Sequence, residues 1–216
     1  MRAPSRQSIV LGSALLLAVV ATLVAVRSKP RGVDIGFWFD LISADTLQTL
    51  PERLTGGIVS ADMNLIEAIA VQEILHAFRE FQVSVSDRRN ATYRVRVVDT
   101  LHNPMFPHGL APSGESRSIP GLGGQGAVNF RLIAHNAVTF APAGADRPAI
   151  VTGIGRGIGR AAVHEFAHQF LGSAPIHDSK DVRSYEYRSA ARREQYYGEI
   201  HWDIARPLLE ERLGVK

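Results

Sequence analysis

The sequence predicts an α+β fold: a mixed, twisted β-sheet with one backing helix and a second, histidine-bearing helix, preceded by an N-terminal transmembrane helix. Three observations carry this. Residues 92–98 alternate apolar and charged side chains, with Tyr93, Val95 and Val97 on one face and Arg94 and Arg96 on the other, as a half-exposed strand does. Apolar residues recur at helical spacing over 61–81 and again over 147–171. Ile9 to Val26 holds no charged residue.

The last of these comes first in the chain. Eighteen uncharged residues at ~1.5 Å rise span ~27 Å, enough for a bilayer core. Arg2 and Arg6 precede the run and Arg27, Lys29 and Arg31 follow it. The ending Leu23-Val24-Ala25-Val26-Arg27 is a poor cleavage site, which favours an uncleaved signal anchor over a cleaved signal peptide. The expected organisation is therefore a membrane segment over 1–30 and one domain over 31–216. The expected placement is a single-pass membrane protein with its C-terminal domain outside the cytoplasm, or a secreted protein if the segment is cleaved.

Within the domain, Val33 to Phe39 reads as a first strand and 61–81 as a helix, with Leu65, Ile66, Ile69, Ile74, Phe78 and Phe81 on its apolar side and Ser60 as N-cap. After the 92–98 strand, two more are expected at Ala127–Ala134 and Ala137–Ala141, separated by His135-Asn136. The glycine-rich stretch from His108 to Gly126 reads as a long loop. Asp146-Arg147-Pro148 is a helix start signal, and Gly172 a stop, so one long helix is expected over 147–171.

Composition narrows the function. The chain has 24 Lys+Arg against 21 Asp+Glu, a formal charge of +3, with 45% hydrophobic and 21% charged residues. That excludes a disordered chain and a strongly basic nucleic-acid-binding tail, and no nucleic-acid partner is expected. The chain has no cysteine. A disulfide scaffold, a thiolate metal site and a cysteine nucleophile are thereby excluded, and any metal must be held by His, Asp or Glu.

The stretch Thr152-Gly153-Ile154-Gly155-Arg156-Gly157-Ile158-Gly159 after Ile150-Val151 resembles the dinucleotide fingerprint of short-chain dehydrogenases, and that resemblance would imply NAD(P) binding through 152–159. Position argues against it. Too little chain follows Gly159 for a doubly wound sheet, and no tyrosine is followed by a lysine four residues on. In the helical reading Ile150, Ile154 and Ile158 share one face, while Gly153 and Gly157 share another open to a close neighbour. Four helix-interior glycines cost ~4 kcal/mol against alanine, which tertiary contacts must offset.

His164-Glu165-Phe166-Ala167-His168 carries the chemistry. On a helix, two histidines at i and i+4 share a face and can bind one metal ion, and the glutamate beside the first can act as general base on a metal-held water. A third ligand is required. Gly172-Ser173-Ala174-Pro175-Ile176-His177-Asp178 offers His177, with Asp178, Asp181, Glu186 and Glu199 as alternatives. HExxH followed by a glycine and then His-Asp resembles the metzincin branch of the zincin metallopeptidases, with a longer spacer to the third histidine and no methionine turn. Val182-Arg183-Ser184-Tyr185 resembles the Ser-Tyr end of that turn.

The resemblance implies a zincin-like domain that binds Zn²⁺ through His164, His168 and His177. It implies hydrolysis of a peptide or protein substrate with Glu165 as base, and an edge strand, placed at Ala137–Ala141, that pairs with extended substrate. Tyr185 is the expected oxyanion donor, with Tyr187 and His201 as further candidates. The function expected is a membrane-anchored zinc metallopeptidase. The alternative is a non-catalytic zincin-like module that binds an envelope partner, its metal structural and closed by four protein ligands.

Overall fold

The computed structural model describes residues 32–48, 54–101, 112–119, 121–172 and 175–216. The first strand, β1 (Val33–Phe39), is followed by a short helix α1 (Ala44–Gln48) and the long helix α2 (Ser60–Ala77). Strands β2 (Val83–Ser86), β3 (Tyr93–Val98), β4 (Gly114–Ile119) and β5 (Gly123–Asn129) come next, then α3 (Phe130–Thr139) and α4 (Arg147–Leu171). Two short helices close the chain, α5 (Glu194–Tyr197) and α6 (Arg206–Leu213). The five strands form one mixed sheet in the order β2-β1-β3-β5-β4. All neighbours are parallel except β4, which runs antiparallel to β5 at the edge.

The alternation over 92–98 sets the face of the sheet that meets the helices. Val95 and Val97 are fully buried and Tyr93 nearly so, with Ile35 and Phe37 beside them on β1. Against that face lie α2 and α4, through Ile66, Ala70 and Ile74 on one and Ile154, Ile158, Val163 and Phe166 on the other. Asp62 caps α2 from within its first turn by accepting the Val59 N–H at 2.9 Å; Ser60, the expected N-cap, is the first helical residue.

The glycines of α4 are there for close approach. A Cβ on Gly155 or Gly159 would come within 2.7 Å of Ile69 or 2.6 Å of the Ala70 carbonyl on α2, and one on Gly153 or Gly157 would strike the rings of Tyr197 or Tyr196. The helix runs unbroken from its Asp146 cap, which accepts the Ala149 N–H at 2.9 Å, to Gly172. The dehydrogenase-like glycines thus lie inside a helix packed on both sides, not in a phosphate-binding turn.

Three sequence expectations are corrected. The first is the transmembrane helix: among the described residues no helix is long and apolar enough to cross a membrane. The 25-residue α4 has the length, but Arg147, Arg156, Arg160 and Glu165 interrupt it. The run at 9–26 lies outside the described residues, and the single-pass anchorage, with the extracytoplasmic or secreted placement drawn from it, is withdrawn.

The second correction concerns 127–141. Only Ala127–Asn129 is strand. The Asn129 side chain accepts the Leu132 N–H at 3.2 Å and turns the chain into α3, whose residues Phe130, Ile133, Ala134, Ala137 and Val138 are buried. Ala137–Ala141 is therefore not an edge strand. The third follows from it: most of the described part of the expected 108–126 loop is the β4–β5 hairpin, and β4 forms the edge of the sheet on that side, with β2 at the other edge.

Candidate metal centre

The i, i+4 spacing on α4 puts His164 and His168 on one helical face, their ring centroids 4.9 Å apart. His177 arrives from the chain beyond Gly172, and its Nε2 lies 2.9 Å from the His164 Nε2 and 3.3 Å from the His168 Nε2. The three donor nitrogens all fall within 4.8 Å of one another. His177 is brought there by a backbone at φ 82°, the one non-glycine residue in the left-handed region among those described, and its N–H is held by the Glu186 carbonyl at 3.1 Å. Such a strained position persists only where the surroundings hold it in place. This group can hold a metal ion.

The donor chemistry fits. His164 Nδ1 lies 2.7 Å from the Tyr185 carbonyl and His168 Nδ1 lies 3.1 Å from the Gly172 carbonyl. A carbonyl only accepts, so each Nδ1 carries the proton and each Nε2 keeps its lone pair for a ligand. Desolvation lowers the pKa of each imidazole, most strongly at His164. His164 is pushed down to about 3 by desolvation and then by the neighbouring positive groups; His168 is lowered chiefly by burial; His177 is lowered by burial and by the charge of Arg188. A tetrahedral metal site with metal–nitrogen bonds of ~2.0–2.1 Å places its nitrogens ~3.3 Å apart; the His168–His177 pair lies at 3.3 Å and the His164–His177 pair somewhat closer, at 2.9 Å.

Glu165 sits beside the first ligand with its side chain buried, and its pKa is raised to about 8 by desolvation and then by the charge of Glu115. Its carboxyl lies against Gly114 of the edge strand, where a Cβ would come 2.4 Å from Oε1. The same strand is tied to the helix by Ser116 and Ser118, whose hydroxyls donate to the Glu165 and His168 carbonyls at 3.2 and 3.1 Å. Gln169 ties the helix to the middle of the sheet, accepting the Arg94 N–H at 3.1 Å and donating to the Arg94 carbonyl at 3.0 Å. Room for its side chain comes from Gly124 and Gly126. None of these supports stands out in sequence, because Ser and Gly in a glycine-rich run read as loop.

The other candidates sit elsewhere. Glu186 is fully buried, and its carboxylate is occupied by the Ser184 hydroxyl at 2.6 Å and the Asp203 and Ala205 N–H groups at 3.0 and 2.7 Å. It is a brace for the turn that carries Tyr185 and His177's carbonyl partner. Asp181 faces the exposed His201 at 3.2 Å, and that pair is outside the three-histidine group. Asp178 and Glu199 are exposed and do not join it either. Tyr185 gives the site its main-chain carbonyl. Its ring lies on Trp202 at 4.7 Å, and its hydroxyl is buried with no hydrogen-bond partner, so burial drives its pKa up.

Compared with protein-family profiles, curated proteins and solved structures, the chain shows no match to any of them.

Proposed function

We propose that the chain is a zinc-dependent metallopeptidase whose metal is held by His164, His168 and His177. The observation that carries this reading is the convergence of three imidazole Nε2 atoms with a buried glutamate adjacent to the first of them. Among the described residues the group offers three ligands and no fourth, as a catalytic site with an open position does and a closed structural site does not. Zinc bound there would supply a Lewis acid and acidify a coordinated water.

The chain's own residues do the rest. Glu165 takes a proton from the water as its oxygen adds to the scissile carbonyl carbon, then returns that proton to the amine nitrogen as the C–N bond breaks. Tyr187 lines the cavity beside Glu165 and His164 and is half-buried, so its phenol is better placed than the sealed hydroxyl of Tyr185 to meet an oxyanion. The edge strand β4, antiparallel and tied to α4 beside Glu165, is the element available to pair with an extended peptide.

The test is metal stoichiometry together with one substitution. The purified chain should bind about one zinc, and Glu165→Gln should keep the zinc while abolishing hydrolysis of a peptide mixture. A chain that stays metal-free after zinc loading ends this reading.

A further inference from the structure

The alternation of β3 that buries Val95 and Val97 under the helices turns Arg94 and Arg96 to the other face of the sheet. Strand register extends this face. Arg94 pairs with Gln125 on β5, and Gln125 with Arg117 on β4, while Arg96 stands beside Trp38 on β1. A groove of about 690 Å³ lies over these residues, and Arg89, from the β2–β3 connection, joins its wall. Glu115 is the one acidic residue in the lining. A volume of this size is that of a ligand site. Three of the arginines are held in place. Arg94 donates to the Gln125 Oε1 at 3.2 Å and to the Ala91 carbonyl at 3.4 Å. Arg96 donates at 3.1 Å to Asp40, which also accepts the Trp38 indole N–H at 3.0 Å. The Arg89 guanidinium lies over the Trp38 ring, 5.7 Å from its centroid.

Of these four arginines, Arg96 alone is in an ion pair among the described residues. The rest of the sequence offers the other three little counter-charge: 1–31 and 102–111 contain no Asp or Glu, and Glu52 stands beside Arg53. An anion that meets Arg89, Arg94 and Arg117 therefore comes from another molecule. Strands ~4.8 Å apart put β1 and β4 ~14 Å apart across the groove. An extended chain rises ~3.3 Å per residue, so carboxylates at i, i+2 and i+4 share a face and span ~13 Å. From this match of charge and length we infer that the groove docks an acidic, extended segment of a partner protein, its alternate carboxylates on Arg89, Arg94 and Arg117. Guanidinium and carboxylate pair in two parallel hydrogen bonds, a geometry an amide does not reproduce. Trp38 disfavours a nucleic acid as the occupant, because Arg89 covers its ring where a base would stack and Asp40 takes its N–H. The inference goes beyond the metal centre and needs neither zinc nor cleavage.

The experiment titrates the metal-free full chain with acetyl-Ala-Glu-Ala-Glu-Ala-Glu-Ala-amide, with its Gln counterpart and with a dT12 oligonucleotide, following the indole N–H signals by NMR. The Glu peptide should bind on the order of 10-fold more tightly than the Gln peptide, since three exposed ion pairs contribute a few tenths to 1 kcal/mol each. It should shift the Trp38 signal, which lines the groove, and leave that of Trp202, which packs on Tyr185. Arg94→Ala and Arg117→Ala should each weaken the Glu peptide by roughly 2–5-fold, and the double variant should remove most of its advantage. Arg117 is exposed, so its replacement tests the groove with the fold intact. Glu115→Gln should tighten binding by removing a like charge, and Arg206→Ala, on α6, should leave it unchanged. Equal binding of the two peptides overturns the inference, as does a Glu advantage that survives the double variant or no binding at millimolar concentration. Tighter binding of dT12 than of the Glu peptide, with the Trp38 signal shifted, would assign the groove to nucleic acid instead.

Discussion

Replacing Glu186 by alanine should destabilise the domain severely, although the residue is neither a ligand nor a catalyst. Its carboxylate is fully buried and accepts from the Ser184 hydroxyl and from the N–H groups of Asp203 and Ala205. Alanine removes the acceptor and leaves the donors in place. The serine hydroxyl can rotate to another acceptor, but the two backbone N–H groups cannot, and each unsatisfied buried donor costs ~1–3 kcal/mol. Adding the packing lost with the side chain, a total of ~3–6 kcal/mol is expected, in the range of a broken buried network. For a domain of this size 1 kcal/mol moves Tm by ~2–4 °C, so Tm should fall by ~6–24 °C. Glu186→Gln keeps one acceptor oxygen but turns an NH2 group towards an N–H, and should land between alanine and the native residue. The site should feel the change too, since the same turn supplies the Tyr185 carbonyl to His164 and the Glu186 carbonyl to His177. Zinc affinity of Glu186→Ala, measured at a temperature where it is folded, should fall on the order of 10–100-fold. Calorimetry or circular dichroism gives the Tm, and competition with a chromophoric chelator gives the affinity. A Tm within ~2 °C of the native value would refute the argument that this carboxylate braces the site.

The remaining predictions concern the ligand, the helix contact and pH. His177→Ala should weaken zinc binding far more than Asp178→Ala, because His177 meets both other imidazoles while Asp178 is exposed and only influences His177 by its charge; equal or reversed severity in a zinc titration refutes the ligand assignment. Gly159→Val should cost at least ~3 kcal/mol in urea unfolding, since its Cβ would lie 2.6 Å from the Ala70 carbonyl and backbone cannot retreat as a flexible side chain can; Arg156→Ala, on the same helix with 40% of its side chain exposed, should cost under ~1 kcal/mol. Asp62 joins α2 to α4 through Arg147 at 2.5 Å. Burial alone would raise its pKa, but the hydrogen bonds from Arg147 and the Val59 N–H outweigh this and hold it below 3.8. The stability it contributes is therefore complete above 3.8 and lost as pH falls through the lower folded value. The stability gap between the native chain and Asp62→Asn should be constant well above pH 3.8 and close as pH falls below it; a gap that widens on acidification contradicts the sign.

Much of the architecture was legible because it is written in local signals. The start and stop of α4 come from Asp146, Pro148 and Gly172, and the inward face of β3 comes from strict alternation. HExxH offers two candidate ligands on one face because a helix fixes the geometry of i and i+4 without help from the rest of the chain. Residues 127–141 carry two competing local signals. Phe130, Ile133, Ala134, Ala137 and Val138 have helical spacing, and Asn129 is a good N-cap, but small apolar residues flanking His135-Asn136 also fit a hairpin.

The sequence by itself determined the long helix that carries His164 and His168 and the helix packed against it, the central strands, the absence of cysteine and the first two candidate ligands. Only the tertiary structure decided the rest. Glycine and serine in 114–126 have poor strand propensity, and they become the edge hairpin because β5 pairs with β3 and because Ser116 and Ser118 bond to α4. His177 could be a candidate only until its left-handed backbone and the Glu186 carbonyl set its ring against His164 and His168. Glu186 itself was a candidate ligand in sequence and is a brace in space. The physical reason is common to all three: these contacts join residues far apart in the chain or held in uncommon backbone states, and their energy comes from burial and from partners that no local pattern names.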